Sequence, residues 1–486
     1  MVLVTVLSCI ERGLGFIYRI FLSRTVGSEG LGLYQIALSL IGVLITLSAS
    51  GIPITVSRLM IKSRTAGSPS GENKVVSAGI FTSLLISVPL TLFFFIFKNS
   101  LGNIFADPRC NTLFLIILPG VSITAVYAVI RGFFWGNKSF YTYSVIELLE
   151  EIVMIVCGVF LILKGRTVFQ KAIYASVAVL ISYLFSFVVS SALFVAKGGR
   201  VINPKEQFKP LISSSMPITF MRTANSFSSS LIALILPAVL IATGLDRQTA
   251  ISQFGVISGM AIPLLFIPST LIGSFSLVLV PELSESFYKK NTDKIRAGVE
   301  KSLLYSLLIS VLVIPAFAGT GEYIGRLIYD NQLAGIYVRN SAFVMIPMSI
   351  TIISTSLLNS MGFERKTLVY FLIGTASLLL CILVLPFFIG NYALIIGYFL
   401  SFTITAVLNV ILLKKVCCDK LDFIKKTAVI IPVCLFFCFL NYFSFSLLSK
   451  LCHEFIAMII SCGVSLICLC VTLILLKTVN LDDLKR

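Results

Sequence analysis

Apolar runs of about 20 residues recur along almost the whole chain, and short polar connectors separate them. Lipid accepts only helices or closed barrels, and the runs lack the alternation of period two that marks a strand. The sequence therefore predicts an all-α polytopic membrane protein with about fourteen transmembrane helices. The predicted helices cover residues 2–22, 31–57, 75–97, 112–135, 141–163, 172–196, 211–242, 251–281, 302–319, 336–360, 367–388, 391–413, 427–448 and 455–476.

The composition supports a membrane protein and argues against an enzyme. Of the 486 residues, 57% are hydrophobic and 12% are charged, against about 45–50% and 25% in soluble domains. A single His and twelve scattered Cys without a CxxC pair leave no metal site, and we expect no cofactor. The chain has no Walker loop, HExxH or GxSxG motif, and its loops lack the clustered acidic residues of a metal-dependent glycosyltransferase.

The distribution of Lys and Arg along the chain indicates how the chain is oriented in the membrane. The net charge is +17, and the basic residues lie mainly between the apolar runs, so we expect no nucleic-acid partner. Lys and Arg are concentrated in alternate connectors such as 58–74, 282–301 and 414–426. An even number of helices places both termini on the same side as these connectors. The sequence thus predicts a multi-pass protein of the cell membrane with both termini in the cytoplasm.

Two similar halves are indicated by recurring helix ends. A glycine follows the end of the predicted fourth helix, Gly136 before Lys138, and another follows the end of the tenth, Gly362 before Arg365. An interval of six helices relates halves of the same orientation, so we predict two parallel six-helix lobes and two extra helices. The predicted domains are an N-lobe at 1–200 with helices 1–6, a C-lobe at 201–415 with helices 7–12, and 416–486 with helices 13–14 and a cytoplasmic tail.

Several charged and polar residues interrupt the apolar runs, where each charge costs at least about 2.5–3.5 kcal/mol at mid-helix. Arg12 and Arg19 are two turns apart and share one face of the first helix, and Arg24 continues that line. The seventh helix carries a polar stripe at the spacing i, i+3, i+4 and i+7. This stripe consists of Arg222, Asn225, Ser226 and Ser229, and the fourth helix adds Arg131.

The sign of these charges favours an anionic substrate. Arginine stays charged and donates paired hydrogen bonds that match phosphate, so a phosphate- or pyrophosphate-bearing substrate is indicated. The fifth helix instead carries Glu147, Glu150 and Glu151, which are candidates for coupling to an ion. Structural roles stay open for some of these residues. Arg131 lies near a helix end and can reach the interface, and the carboxylates can neutralise an arginine.

Five segments resemble the stage V sporulation protein B (SpoVB) family over nearly the whole chain. Residues 13–35 carry the most specific likeness, reading GLGFIYRIFLSRTVGSEGLGLYQ. The other segments are ASGIPITVSR at 49–58, RGFFWG at 131–136, IELLEEIV at 146–153 and PITFMR at 217–222. One difference from the family lies at Glu150 and Glu151, where relatives often have a basic residue nearby.

The resemblance implies membership of the multidrug/oligosaccharidyl-lipid/polysaccharide (MOP) exporter superfamily, to which the lipid II flippase MurJ belongs. It implies two lobes around a central cavity and alternating access that moves a polyprenyl-pyrophosphate-linked saccharide across the bilayer, with a role in spore cortex peptidoglycan. MurJ uses cavity arginines, and the matching candidates here are Arg12, Arg19, Arg24, Arg58 and Arg222. A proton or monovalent cation and cell-wall synthesis enzymes are further expected partners.

Two other functions remain open at this point. A cation-coupled multidrug antiporter of the same superfamily would need a carboxylate, with Glu150 as the first candidate. A membrane scaffold for a saccharide-synthesis complex would not transport, and it would tolerate substitutions in a cavity.

Overall fold

The computed structural model describes residues 2–65, 69–101, 104–204, 206–273, 283, 286–287, 289, 292–416 and 423–476. Across these ranges the chain is helical, and no strand occurs in them. The end of the predicted helix 251–281, part of the connector 282–301 and the predicted cytoplasmic tail beyond residue 476 lie outside the described residues. The prediction of an all-α polytopic membrane protein is confirmed.

The chain divides into two compact units, Met1–Gly259 and Met260–Arg486. The helices of unit 1 are α1 (Val2–Ala49), α2 (Ile52–Thr65), α3 (Pro69–Ile96), α4 (Lys98–Leu101), α5 (Pro108–Ile117), α6 (Pro119–Gly136), α7 (Phe140–Ile162), α8 (Val168–Ala196), α9 (Phe208–Ala242) and α10 (Arg247–Phe254). A π-helix at Gly255–Ala261 crosses the boundary between the units. The predicted lobe boundary near residue 200 and the parallel relation of two six-helix lobes stay predictions.

Unit 2 continues with nine α-helices among the described residues. They are α11 (Ile262–Leu265), α12 (Thr292–Tyr329), α13 (Gln332–Ser341), α14 (Met345–Ser360), α15 (Glu364–Val384), α16 (Pro386–Ile389), α17 (Tyr392–Val416), α18 (Phe423–Leu448) and α19 (Glu454–Leu475). A 3₁₀ turn at Ala342–Val344 joins α13 to α14.

Twelve helices in the described residues are long and apolar enough to cross a membrane. One of them, Val6–Thr65, contains the predicted helix 31–57 and most of the predicted helix 2–22. The helix α7 is not among the twelve, and it carries the three glutamates of the predicted fifth helix. The predicted count of fourteen is therefore not confirmed and stays a prediction.

The predicted connector at 23–30 is helical apart from one residue. Gly27 has φ 76° and ψ 176°, which interrupts the 48 residues of α1. α1 therefore consists of two helical segments that meet at a kink, and at 1.5 Å per residue each is about 33–38 Å long, enough to span the hydrocarbon of a bilayer. A second break, which the predicted helix 31–57 does not include, lies at Ser50 and Gly51. There α1 ends, and α2 begins with Ile52 and Pro53.

Unit 2 has a large apolar core that includes side chains of α12, α14, α17, α18 and α19. Neutral polar groups bridge some of these helices. The Asn409 amide on α17 donates to Ser354 at 3.0 Å and to Thr355 at 2.9 Å, both on α14. The Asn441 amide on α18 donates to Ser465 on α19 at 3.1 Å. Such bonds between helices compensate for burying polar groups away from water.

Candidate functional site

A cavity of about 440 Å³ in unit 1 contains both cationic and neutral polar side chains. We call it the cationic cavity. The helices α1, α6 and α9 and the break between α1 and α2 provide its walls. Its lining residues are Ile45, Thr46, Ala49, Ser50, Ala128, Arg131, Arg222, Asn225, Ser226 and Ser229.

The polar stripe of α9 lines this cavity as a group. Arg222, Asn225, Ser226 and Ser229 all face it, as the helical spacing predicts. The Arg222 side chain is anchored at one end, because its Nη1 donates to the Ser50 carbonyl oxygen at 3.2 Å. That carbonyl lies at the break between α1 and α2. The arginine remains accessible from the cavity and has further N–H groups to offer a ligand.

Arg131 on α6 enters the same cavity from another wall and is held by aromatic and acidic neighbours. Its Nη1 donates to the Tyr143 hydroxyl at 2.8 Å and lies 3.7 Å from Glu147 Oε1. The guanidinium carbon is 5.4 Å from the ring centres of both Trp135 and Tyr143. Its Nε is buried and finds no acceptor among the described residues. Contacts with α6 and α7 thus hold Arg131 in position, and its Nε–H has no acceptor among the described residues.

The carboxylates of α7 lie beside α1. Glu147 and Glu150 are within electrostatic range of Glu11 and Arg131. A Cβ on Gly15 of α1 would be 2.9 Å from Glu151 Oε1, so the carboxylate of Glu151 lies close to the backbone of α1. Arg131 therefore links the cationic cavity to this acidic group through its contact with Glu147.

The remaining predicted arginines do not line the cavity. Within the described part of α1 and α2, Arg12, Arg24 and Arg58 are exposed and Arg19 is half-buried. None of the four is among the residues that line the cationic cavity. Among all the residues that the structure describes, no group of three or more His, Cys, Asp or Glu side chains could bind a metal ion.

Sequence reasoning missed two parts of the site. The Ser50 carbonyl accepts from Arg222, and the Tyr143 hydroxyl accepts from Arg131. The Ser50-Gly51 pair two residues before Pro53 signals a helix break, but it does not reveal which distant side chain uses the free carbonyl. The aromatic residues after the RGFFWG segment likewise give no sign of an arginine contact.

A family model described as polysaccharide biosynthesis protein matches residues 1–287. The chain belongs to this family. The stage V sporulation protein B of Bacillus subtilis (strain 168) is 28% identical over 345 residues, which cover 68% of this chain and 66% of the relative. The lipid II flippase MurJ of the same organism is 25% identical over 347 residues, covering 64% of this chain and 61% of the relative. The matched part therefore spans slightly less than two thirds of each relative.

Solved structures show the same fold. A MurJ structure described as an inward closed conformation gives a TM-score of 0.76 at 16% identity and covers 100% of both chains. An inward-facing multidrug resistance MATE family transporter of the MOP superfamily gives 0.69 at 15% identity, covering 84% of this chain and 94% of that one. The expected MurJ- and MATE-like fold is confirmed, and the expected likeness to the SpoVB family is confirmed by the family model and by the sequence relative. The activities that these names state are transport activities and not enzymatic ones, as the sequence predicts.

Proposed function

We propose that this protein is a flippase for a lipid-linked saccharide carrying a pyrophosphate, and that it works by alternating access. The observation that carries the proposal is the cationic cavity, in which Arg131 and Arg222 face the same space. Two guanidinium groups can bind a pyrophosphate through paired, charge-assisted hydrogen bonds. The name of the MurJ relative, a lipid II flippase, supports a substrate of this class.

The neutral groups of the cavity suit the sugar part of such a substrate. Asn225, Ser226 and Ser229 add amide and hydroxyl groups on the same stripe as Arg222. These groups both donate and accept, as recognition of sugar hydroxyls requires. We propose Arg12, Arg19, Arg24 and Arg58 as further substrate contacts along α1 and α2, outside this cavity.

Energy coupling is proposed for the α7 carboxylates. Arg131 contacts Glu147 and also lines the cavity, so binding of a proton or monovalent cation at Glu147, Glu150 or Glu151 would change the charge that Arg131 feels. We also propose that the protein lies in the cell membrane with both termini in the cytoplasm. We propose that its substrate is a lipid II-like molecule of peptidoglycan or spore cortex assembly, and that the protein passes it to cell-wall synthesis enzymes.

The test is flipping of a fluorescent lipid II analogue in proteoliposomes, with an impermeant reagent that reports the exposed headgroup. We expect wild type to flip it, Arg222→Ala to lose most of the rate, and Arg222→Lys to recover part of it. The matched control is Arg326→Ala, because Arg326 in unit 2 is half-exposed and lies 3.6 Å from Glu454. A full rate with Arg222→Ala would contradict the role of the arginine, and absence of flipping by folded wild type would contradict the proposed function.

The α7 carboxylates specifically favour a second candidate, a cation-coupled multidrug antiporter. A cationic drug needs a carboxylate as its partner, and Glu147 and Glu150 lie in one acidic group. This candidate predicts that Glu150→Gln abolishes efflux of a cationic dye while Arg222→Ala has little effect. The flippase predicts the opposite order for the movement of the lipid analogue. A scaffold without transport predicts that both variants behave as wild type.

A further inference from the structure

The acidic group beside the cationic cavity brings four half-buried carboxyl groups together in unit 1. Its members are Glu11 on α1 and Glu147, Glu150 and Glu151 on α7. Each of the three members on α7 lies within electrostatic range of Glu11. Like charges at such range disfavour the state in which all of the carboxyl groups are ionised. The acidic group is therefore a candidate for binding a positive charge.

Two buried tyrosines next to the acidic group give a second, independent indication. Tyr18 on α1 and Tyr127 on α6 are only 3% and 7% exposed, and their hydroxyls have no hydrogen-bond partner among the described residues. The Tyr127 hydroxyl lies within electrostatic range of Glu147 and Glu150, and Tyr18 lies within range of Glu151. Buried hydroxyls normally have partners. A protonated carboxyl group needs an acceptor for its O–H, and a phenol oxygen provides one.

The arrangement suits a proton better than a metal ion. A hard metal cation is held by several oxygen ligands at once. In the part of the chain that the structure describes, no three carboxyl groups come close enough together to form such a set. A proton needs only one carboxyl oxygen. The spread of the acidic group along α1 and α7 therefore favours protonation of single carboxyl groups.

Glu147 is the member of the acidic group that is joined to the cationic cavity. Its Oε1 lies 3.7 Å from Nη1 of Arg131, and Arg131 lines the cavity. A guanidinium has five N–H donors, so a phosphate in the cavity can bind Arg131 while the contact with Glu147 persists. The influence of such a phosphate on Glu147 is therefore electrostatic and requires no displaced contact.

The sign of this influence follows from the charges. A pyrophosphate at Arg131 adds negative charge near carboxylates that already repel one another. The added repulsion favours the neutral, protonated form of Glu147. Coupling between two binding events is reciprocal, so a proton on Glu147 strengthens binding of pyrophosphate by the same factor.

The other titratable and charged side chains around the acidic group do not compete for this proton. Phenols are neutral and arginines are charged throughout the neutral pH range, which leaves the carboxyl groups to titrate. These surrounding side chains come from all of the helices packed against α7 and from α7 itself. They are Arg12, Tyr18, Arg19 and Tyr34 on α1, Tyr127 and Arg131 on α6, Tyr143 on α7 and Tyr183 on α8.

We propose that Glu147 takes up a proton when the pyrophosphate of the substrate binds at Arg131, so that proton and substrate occupy unit 1 together and not in exchange for each other. This inference rests on the proposed function, because it names the coupling ion of that function and the sign of the coupling. The proton comes from water, and no other bond is made or broken.

Isothermal titration calorimetry with a short-chain pyrophosphate analogue tests the proposal. The analogue is a dialkyl diester of pyrophosphate, in which each phosphate carries a single charge that does not titrate near neutral pH. Binding heats in buffers of different ionisation enthalpy then report protons taken up by the protein alone. We expect wild type to take up about half a proton per analogue bound, so that the Kd rises about threefold per pH unit between about pH 6 and about pH 8.

A matched pair of variants assigns the proton. Glu147→Gln keeps the shape of the side chain but removes the titrating group, so both the uptake and the pH dependence of the Kd should disappear. Glu72→Gln is the control, because Glu72 also pairs with an arginine, Arg64 at 2.7 Å, but does not belong to the acidic group. This control should take up protons as wild type does.

The outcomes separate the inference from the proposed function. Proton release by wild type, or an uptake that persists in Glu147→Gln, would overturn the inference. Binding without any proton uptake by wild type would contradict the inference alone, and it requires no variant to fold. Absence of binding by folded wild type would contradict the proposed function as well.

Discussion

The polar groups inside unit 1 and unit 2 differ in charge and in what they contact. In unit 1, Arg131 lies 3.7 Å from Glu147, and Arg131 and Arg222 line an open cavity. In unit 2 the buried polar side chains of the described residues are all neutral. The amides of Asn409 and Asn441 are fully buried and donate to hydroxyls of neighbouring helices.

This difference separates residues that bind from residues that pack. A neutral amide bonded to a hydroxyl holds two helices together at modest cost. A charge between apolar helices is expensive and is retained where it faces water, a partner or a substrate. We therefore expect substitutions in the polar interior of unit 1 to change ligand binding, and those in unit 2 to change stability.

The largest expected effect is on binding in unit 1. Arg222→Met removes the charge but keeps an apolar chain of similar length. We expect the Kd for a short-chain pyrophosphate analogue to rise about 30- to 150-fold, from loss of about 2–3 kcal/mol of charged hydrogen bonding. Isothermal titration calorimetry measures the Kd. The thermal unfolding temperature should fall little. An unchanged Kd would contradict the role of unit 1 in ligand binding.

The second effect is on stability in unit 2. A methyl group at Gly319 of α12 would collide with the side-chain oxygen of Asn441. We expect Gly319→Ala to lower the free energy of unfolding by about 1–2 kcal/mol and to leave flipping per folded molecule unchanged. Gly463→Ala on α19 is the matched control, because nothing lies within 4 Å of its Cβ position. Lost flipping by a folded Gly319→Ala protein would contradict the division between the units.

A third effect concerns a charge of unit 1 outside the membrane-spanning helices. Burial raises the pKa of Asp107, but the bonds from the Arg109 side chain and N–H outweigh it and hold the pKa below its ordinary value. A lowered folded-state pKa stabilises the protein above the unfolded-state pKa, and that contribution disappears as pH falls through the folded-state value. We expect Asp107→Asn to cost about 1 kcal/mol at neutral pH and to remove this acid dependence, as thermal unfolding between about pH 7 and about pH 2 would show. Parallel pH profiles for the two proteins would refute the assignment.

The smallest effect belongs to exposed charges of unit 2. Arg326 and Glu454 are both about half exposed, and water screens such pairs. Arg326→Gln should change the free energy of unfolding by less than about 0.5 kcal/mol. A loss comparable with that of Gly319→Ala would show that a surface charge matters as much as interior packing in this unit.

The sequence predicts features that depend on one helix and misses those that depend on two. Hydropathy predicts the helices, and the spacing of Arg222, Asn225, Ser226 and Ser229 predicts their shared face. The chain does not reveal that Ser50 offers its carbonyl to Arg222, because that contact spans 172 positions.

The break at Gly27 has a stereochemical consequence. No atom lies within 4 Å of the position where its Cβ would stand, so the residue is glycine for its backbone angles and not for lack of space. A φ of 76° with ψ of 176° is accessible to glycine and, by mirror symmetry, to residues of the opposite handedness. A semisynthetic chain with D-alanine at this position should keep the bend, whereas L-alanine should strain it. The bend at Gly27 thus excludes an L-residue because of its backbone angles and not because of crowding by neighbouring atoms.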